Sequence, residues 1–146
     1  MAERDGRLAR ISLLCTSASL LYRDALTMAK TVLIIDDDAP TRGLLNAVVV
    51  RAGLAAAVAS NGGEAIDIIN TRDDLCCIVL DLMMPVIDGP AVIAHLSSTK
   101  RNVPVIVCTA AGPRQTPEFD RAIVRAVIQK PFDVEQLSAM LKTFSE

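Results

Sequence analysis

The stretch CCIVLDLMMPVIDGP, residues 76 to 90, decides the fold. Its first five residues are apolar without polar alternation, the pattern of a strand buried on both faces, and they run straight into Asp81. The loop after Asp81 contains Pro85 and Gly89, with Asp88 read as a turn residue, and leads into a helix carrying Val92, Ile93 and Leu96. A buried strand ending on a carboxylate, followed by a loop and a helix, is one unit of an α/β sheet.

The same unit recurs on either side. Upstream, TVLIID (31–36) is a β-branched apolar run, and Asp38 caps a helix with Pro40 in its first turn and Leu44, Leu45, Val48 and Val49 on its apolar face, up to Gly53. LAAAVA (54–59) is a weaker strand; in NGGEAIDII, Asn61 is an N-cap with Glu64 three residues on and Ile66 and Ile69 on one face. Downstream, VPVIVCT (103–109) and AVIQ (126–129) read as strands, joined by a helix whose start is spoiled by Pro113 and Pro117. The last helix has Asp133 as cap, Gln136 at the reciprocal capping position, and Leu137, Met140, Leu141 and Phe144 at helical spacing. Five strand runs thus alternate with five helical runs, which implies a doubly wound α/β fold: a parallel sheet with right-handed crossovers and helices on both faces.

Composition bounds what this sheet can do. The chain has 146 residues, enough for one domain, with 51% apolar and 22% charged residues. Fifteen Lys and Arg against 17 Asp and Glu leave a net charge of −2, which disfavours a nucleic-acid partner, and 3% aromatics without Trp exclude a stacking platform for single strands. Residues 1–30 stand apart as an N-terminal extension: Arg4, Arg7 and Arg10 precede ISLLCTSASLL (11–21), the outline of a leader, while Met28 offers an alternative start. That run is too short and too rich in hydroxyls for membrane insertion. Cys15, Cys76, Cys77 and Cys108 form no CxxC pair and read as small hydrophobes of a reduced, cytoplasmic protein.

In a parallel sheet the site lies at the carboxyl ends of the strands. There the chain places Asp36 and Asp37 after the first strand, Asp81 after the third, Thr109 at the end of the fourth and Lys130 after the fifth. Three crowded carboxylates call for a compensating cation, and hard oxygen ligands suit Mg²⁺. The single histidine, His95, lies within the third helix, away from these ends, and reads as a packed or surface residue, so no hydrolase triad exists. The set instead offers a carboxylate nucleophile, Asp81, with donors for a phosphoryl group.

With these residues in place, VLIIDDD, NGGEAI, CIVLDLMMPVIDG, VPVIVCTAA and QKPF resemble, in order and spacing, the response regulator receiver domains of two-component signalling, over about residues 30 to 146. The resemblance implies a flavodoxin-like (βα)5 sandwich for residues 31–146, with strand order 2-1-3-4-5. It implies that Asp81 accepts a phosphoryl group from a phosphohistidine on a sensor histidine kinase or histidine phosphotransfer protein. Asp37 and Asp81 would bind Mg²⁺ directly with the backbone carbonyl of Met83, and Asp36 through a water. Lys130 would pair with the phosphoryl oxygens, Thr109 would swing to hydrogen-bond them, and the Lys130–Pro131 bond would be cis. The protein would promote its own phosphorylation and dephosphorylation without being an enzyme in the ordinary sense. As the chain ends with the last helix, the expectation is a stand-alone receiver acting through a downstream protein partner.

Two departures matter. Many receivers carry an aromatic three residues before the lysine, where this chain has Val127, so a switch by aromatic rotation is unavailable here. Met83 and Ala111, flanking the site, are apolar and do not assist an attacking water, implying an altered phosphoaspartate lifetime. Val127 also admits a degenerate receiver serving as a phosphorylation-independent scaffold. An aspartate-nucleophile phosphatase of the haloacid dehalogenase type has Asp36 and Asp38 in its favour, but Pro40 stands where that family needs Thr or Val.

Overall fold

The computed structural model describes residues 30–84 and 87–146. The extension at residues 1–29, with Cys15 and Met28, lies outside the described residues, as do Pro85 and Val86 of the loop after Asp81. Five strands, β1 (Thr31–Ile35), β2 (Ala55–Ala59), β3 (Leu75–Leu80), β4 (Val105–Thr109) and β5 (Val124–Gln129), form one sheet in the order β2-β1-β3-β4-β5. Every neighbouring pair is parallel. Four helices cover it: α1 (Ala39–Arg51), α2 (Gly62–Thr71), α3 (Gly89–Thr99) and α4 (Val134–Ser145).

β1 and β3 are central, which is why their sequences are apolar on both sides. Leu33, Ile35, Ile78 and Leu80 face the α2–α3 layer together with Ile69, Val92 and Leu96. Val32, Ile34, Cys77 and Val79 face the α1–α4 layer with Leu45, Val48, Leu137 and Leu141. Burying each of the larger side chains stabilises the fold by roughly 1.5–3 kcal/mol, so these two layers supply most of the driving force.

Several sequence expectations change. The connection between β4 and β5 is no helix: residues 110–123 form bends and turns, with Gln115 and Thr116 amides both donating to Gly112 and Ile123 and Val124 amides to Asp120. Pro113 lacks the amide a helix would need and Pro117 interrupts the next turn, so the start was not merely spoiled. The fifth strand begins at Val124, two residues ahead of the AVIQ run. Leu44 is not part of the core but 49% exposed, and Asp88 is the N-cap of α3, accepting from the Ala91 amide at 3.1 Å. Asn61 caps α2 as expected, but the Glu64 carboxylate reaches the Ser60 amide and hydroxyl instead of closing back on Asn61. Asp133 caps α4 through the Glu135 and Gln136 amides. No helix among the described residues is long and apolar enough to cross a membrane.

Candidate functional site

The register of the sheet brings the strand ends together. Asp36 donates its amide to Ala59 of β2 at 3.2 Å, and Asp81 donates to Ile35 of β1 at 2.9 Å. Across the other half, the Lys130 amide donates to the Thr109 carbonyl at 2.8 Å. Asp36, Asp81, Thr109 and Lys130 therefore share one edge because the backbone ladder puts them there, and the Lys130–Pro131 peptide is cis, as expected.

Asp36 is 1% exposed and both its carboxylate oxygens are committed. Oδ1 accepts from the Asp38 amide at 2.9 Å, and Oδ2 accepts from Lys130 Nζ at 2.8 Å. Asp81 is also buried; its Oδ1 accepts from the Met83 amide at 3.3 Å and its Oδ2 lies 3.8 Å from Lys130 Nζ. Asp37 is exposed, and among the described residues no hydrogen-bond donor reaches its carboxylate. Oxygens of Asp36, Asp37 and Asp81 lie within 4.8 Å of one another.

The electrostatics follow from this crowding. Burial pushes the Asp81 carboxyl above its ordinary range, and the charges of Asp36 and Asp37 push the same way, against the Met83 amide and Lys130. Burial pulls the Lys130 ammonium down, but the Asp36 hydrogen bond and the Asp36 and Asp81 charges outweigh it, and its pKa is raised. One ammonium faces three carboxylates, leaving an excess of negative charge. The donors are all hard oxygens, and Asp37 and Asp81 keep oxygens free of strong partners. This set fits a hard cation such as Mg²⁺, and of the three acids Asp36 is the one whose carboxylate oxygens are both already engaged.

Thr109 is fully buried, its hydroxyl accepting from the Ala111 amide at 3.1 Å. Met83 presents its amide to the site, while its side chain is 69% exposed. With Met84, Pro90, Ala111 and Pro117 it lines a cleft of about 690 Å³ bordered by the irregular 110–123 connection. Val127 is 46% exposed on β5. His95 is remote from the site, its Nε2 2.8 Å from Asn70 Oδ1, tying α3 to α2.

Three features escaped the sequence reading. Arg42 Nη1 donates to the Asp36 carbonyl at 2.8 Å. Asp74 takes Arg72 at 2.7 Å and the Thr31 hydroxyl at 2.6 Å, which holds its carboxyl well below the usual range and pins the start of β1 to β3. Arg101 caps α2 by donating to the Ile69 and Arg72 carbonyls, both at 2.6 Å. Each is an arginine meeting backbone or carboxylate outside its own element, a contact no periodicity announces.

An acid cluster and a lysine share the carboxyl edge of a β2-β1-β3-β4-β5 sheet, and the chain belongs to the response regulator receiver domain family, whose model matches residues 32–142. This family carries phosphotransfer in two-component signalling. Among its relatives, the response regulator MprA of Mycobacterium sp. (strain KMS) is 35% identical over 118 residues, 79% of this chain and 50% of that protein. The chain thus spans about half the length of that relative. Sporulation initiation phosphotransferase F of Bacillus subtilis (strain 168) is 30% identical over 119 residues, 80% of this chain and 94% of that protein. The structure of the Francisella response regulator 1452 receiver domain superposes with a TM-score of 0.72 at 28% identity, covering 80% of this chain and 96% of the other.

Proposed function

We propose that the protein receives a phosphoryl group on Asp81 from a phosphohistidine of a sensor kinase or phosphotransfer protein and passes the signal to a downstream protein by a change in its surface. The observation that carries this reading is the Lys130 ammonium lying between Asp36, at 2.8 Å, and Asp81, at 3.8 Å. An Asp81 oxygen attacks phosphorus, a P–O bond forms, the P–N bond breaks, and the imidazole nitrogen keeps the electron pair and takes up a proton. Lys130 balances charge on the phosphoryl oxygens as they arrive, and the Thr109 hydroxyl leaves the Ala111 amide to donate to one of them. Asp37, Asp81 and the Met83 carbonyl would hold Mg²⁺, with Asp36 acting through a water, and the ion would supply neutralisation of the incoming phosphoryl charge.

The protein is a signalling acceptor that promotes its own phosphorylation and dephosphorylation, not a turnover enzyme. A reducing cytoplasm suits the cysteines among the described residues: Cys77 and Cys108 are buried and Cys76 partly so, and these three are free thiols. Incubation with Mg²⁺ and a small acyl phosphate gives a mass gain of one phosphoryl group that Asp81→Asn removes. No adduct in the wild type would overturn the reading and favour the scaffold; steady hydrolysis dependent on Asp36 would favour a phosphatase.

A further inference from the structure

Asp36 is held at every polar point it has. Its amide donates to Ala59, its two carboxylate oxygens take Asp38 and Lys130, and its carbonyl takes Arg42. The last contact is the one without a role in the acid chemistry. Arg42 stands in the first turns of α1, its own amide bonded to the Asp38 carbonyl at 3.0 Å, and reaches back across the turn carrying the three consecutive acids.

The carbonyl it grips belongs to the peptide plane joining Asp36 to Asp37. Because that unit is rigid, fixing its oxygen also fixes the direction in which the chain enters Asp37. Asp37 needs such help. It is exposed and its carboxylate accepts no protein donor among the described residues, so backbone alone aims it toward Asp36 and Asp81. We infer that Arg42 is a positioning residue that orients the Asp37 carboxylate into the acid cluster through the Asp36 carbonyl. The inference rests on the reading of that cluster as an Mg²⁺ site.

Charge and position make opposite predictions. A guanidinium beside a cation site repels the cation, so by charge alone its removal tightens Mg²⁺ binding. If its work is positional, removal weakens binding. In the full chain, Arg42→Met keeps the apolar stem without donors, and Arg42→Lys keeps charge and a single donor but not the fork. Calorimetric titration with Mg²⁺ should show Arg42→Met weakened roughly three- to tenfold, the net scale of one ordinary hydrogen bond, with Arg42→Lys between it and the wild type. Without metal, hydrogen exchange at the Asp37 and Asp38 amides should quicken in Arg42→Met by a similar factor.

Arg101→Met serves as control, since it removes a guanidinium bound to backbone carbonyls remote from the acids. Mg²⁺ affinity in Arg42→Met that is unchanged, tighter, or weakened no more than in Arg101→Met overturns the inference. Absence of Mg²⁺ binding by the wild type would instead overturn the metal reading. Amide exchange then decides on Arg42 alone, and wild-type rates in Arg42→Met count against it.

Discussion

Asp81 shows how a single residue trades stability for chemistry. Its carboxyl is raised by burial and by its acidic neighbours, so in the folded chain it holds a proton to higher pH than in the unfolded chain. Stability therefore falls as pH rises from the unfolded value, near 3.8, through the folded one. Asp81→Asn removes that cost. In the absence of Mg²⁺ its melting temperature should exceed the wild type's by roughly 2–5 °C at neutral pH, and thermal scans should show the gain vanishing in acid. A gain that persists below the unfolded value would place its cause elsewhere. Met83 belongs to the same scale: its side chain offers an attacking water no donor and only a weak sulfur acceptor, and Met83→Asn supplies a donor and a strong acceptor. Loss of radiolabel from phosphorylated protein should be several-fold faster in Met83→Asn, and equal decay would show that the position does not govern lifetime.

At the scale of elements, the loop from β3 to α3 is built around close approach. A Cβ on Gly89 would meet Leu82 Cα at 2.7 Å and the Asp81 carbonyl at 2.8 Å, both backbone atoms that cannot swing aside. Gly89→Ala should thus cost roughly 1–3 kcal/mol in urea unfolding and displace the segment carrying Asp81; a variant as stable as the wild type would show that the loop has slack. The legible elements were those whose burial is written as an apolar run or a capping residue: β1, β3 and β4, and the caps Asp38, Asn61 and Asp133. The 110–123 connection was read as a defective helix because alternation of strand and helix outweighed its two prolines, when chain geometry gave the prolines the deciding vote. Leu44 misled by residue type: it lies at a position of α1 that faces away from the sheet. Arg42 was invisible because its contact depends on how α1 is set against the β1 turn, a three-dimensional fact with no sequence period.

For the whole molecule, the acids, Thr109 and Lys130 were readable before any coordinates because a parallel sheet sends all its strand ends to one edge. The division between Asp36 and Asp37 was implied by the family resemblance alone, because spacing does not say which of them Lys130 and the Asp38 amide engage. A ligand that binds only this assembled edge must stabilise the entire fold. Mg²⁺ at a hundred times its dissociation constant should add about 2.7 kcal/mol, observed as a higher thermal midpoint that a chelator reverses and Asp37→Asn abolishes. An Asp37→Asn protein that responds to Mg²⁺ like the wild type would remove Asp37 from the ligand set.

The Lys130–Asp36 bond spans 94 positions, and it joins the end of the first strand to the last turn before the final helix. Contacts of such sequence separation carry a loop-closure cost that the pairing of the strands between them offsets. A nascent or partly unfolded copy consequently has Asp81 but not the cation beside it. On the proposed reading, competence to accept a phosphoryl group thereby reports that the sheet has been completed.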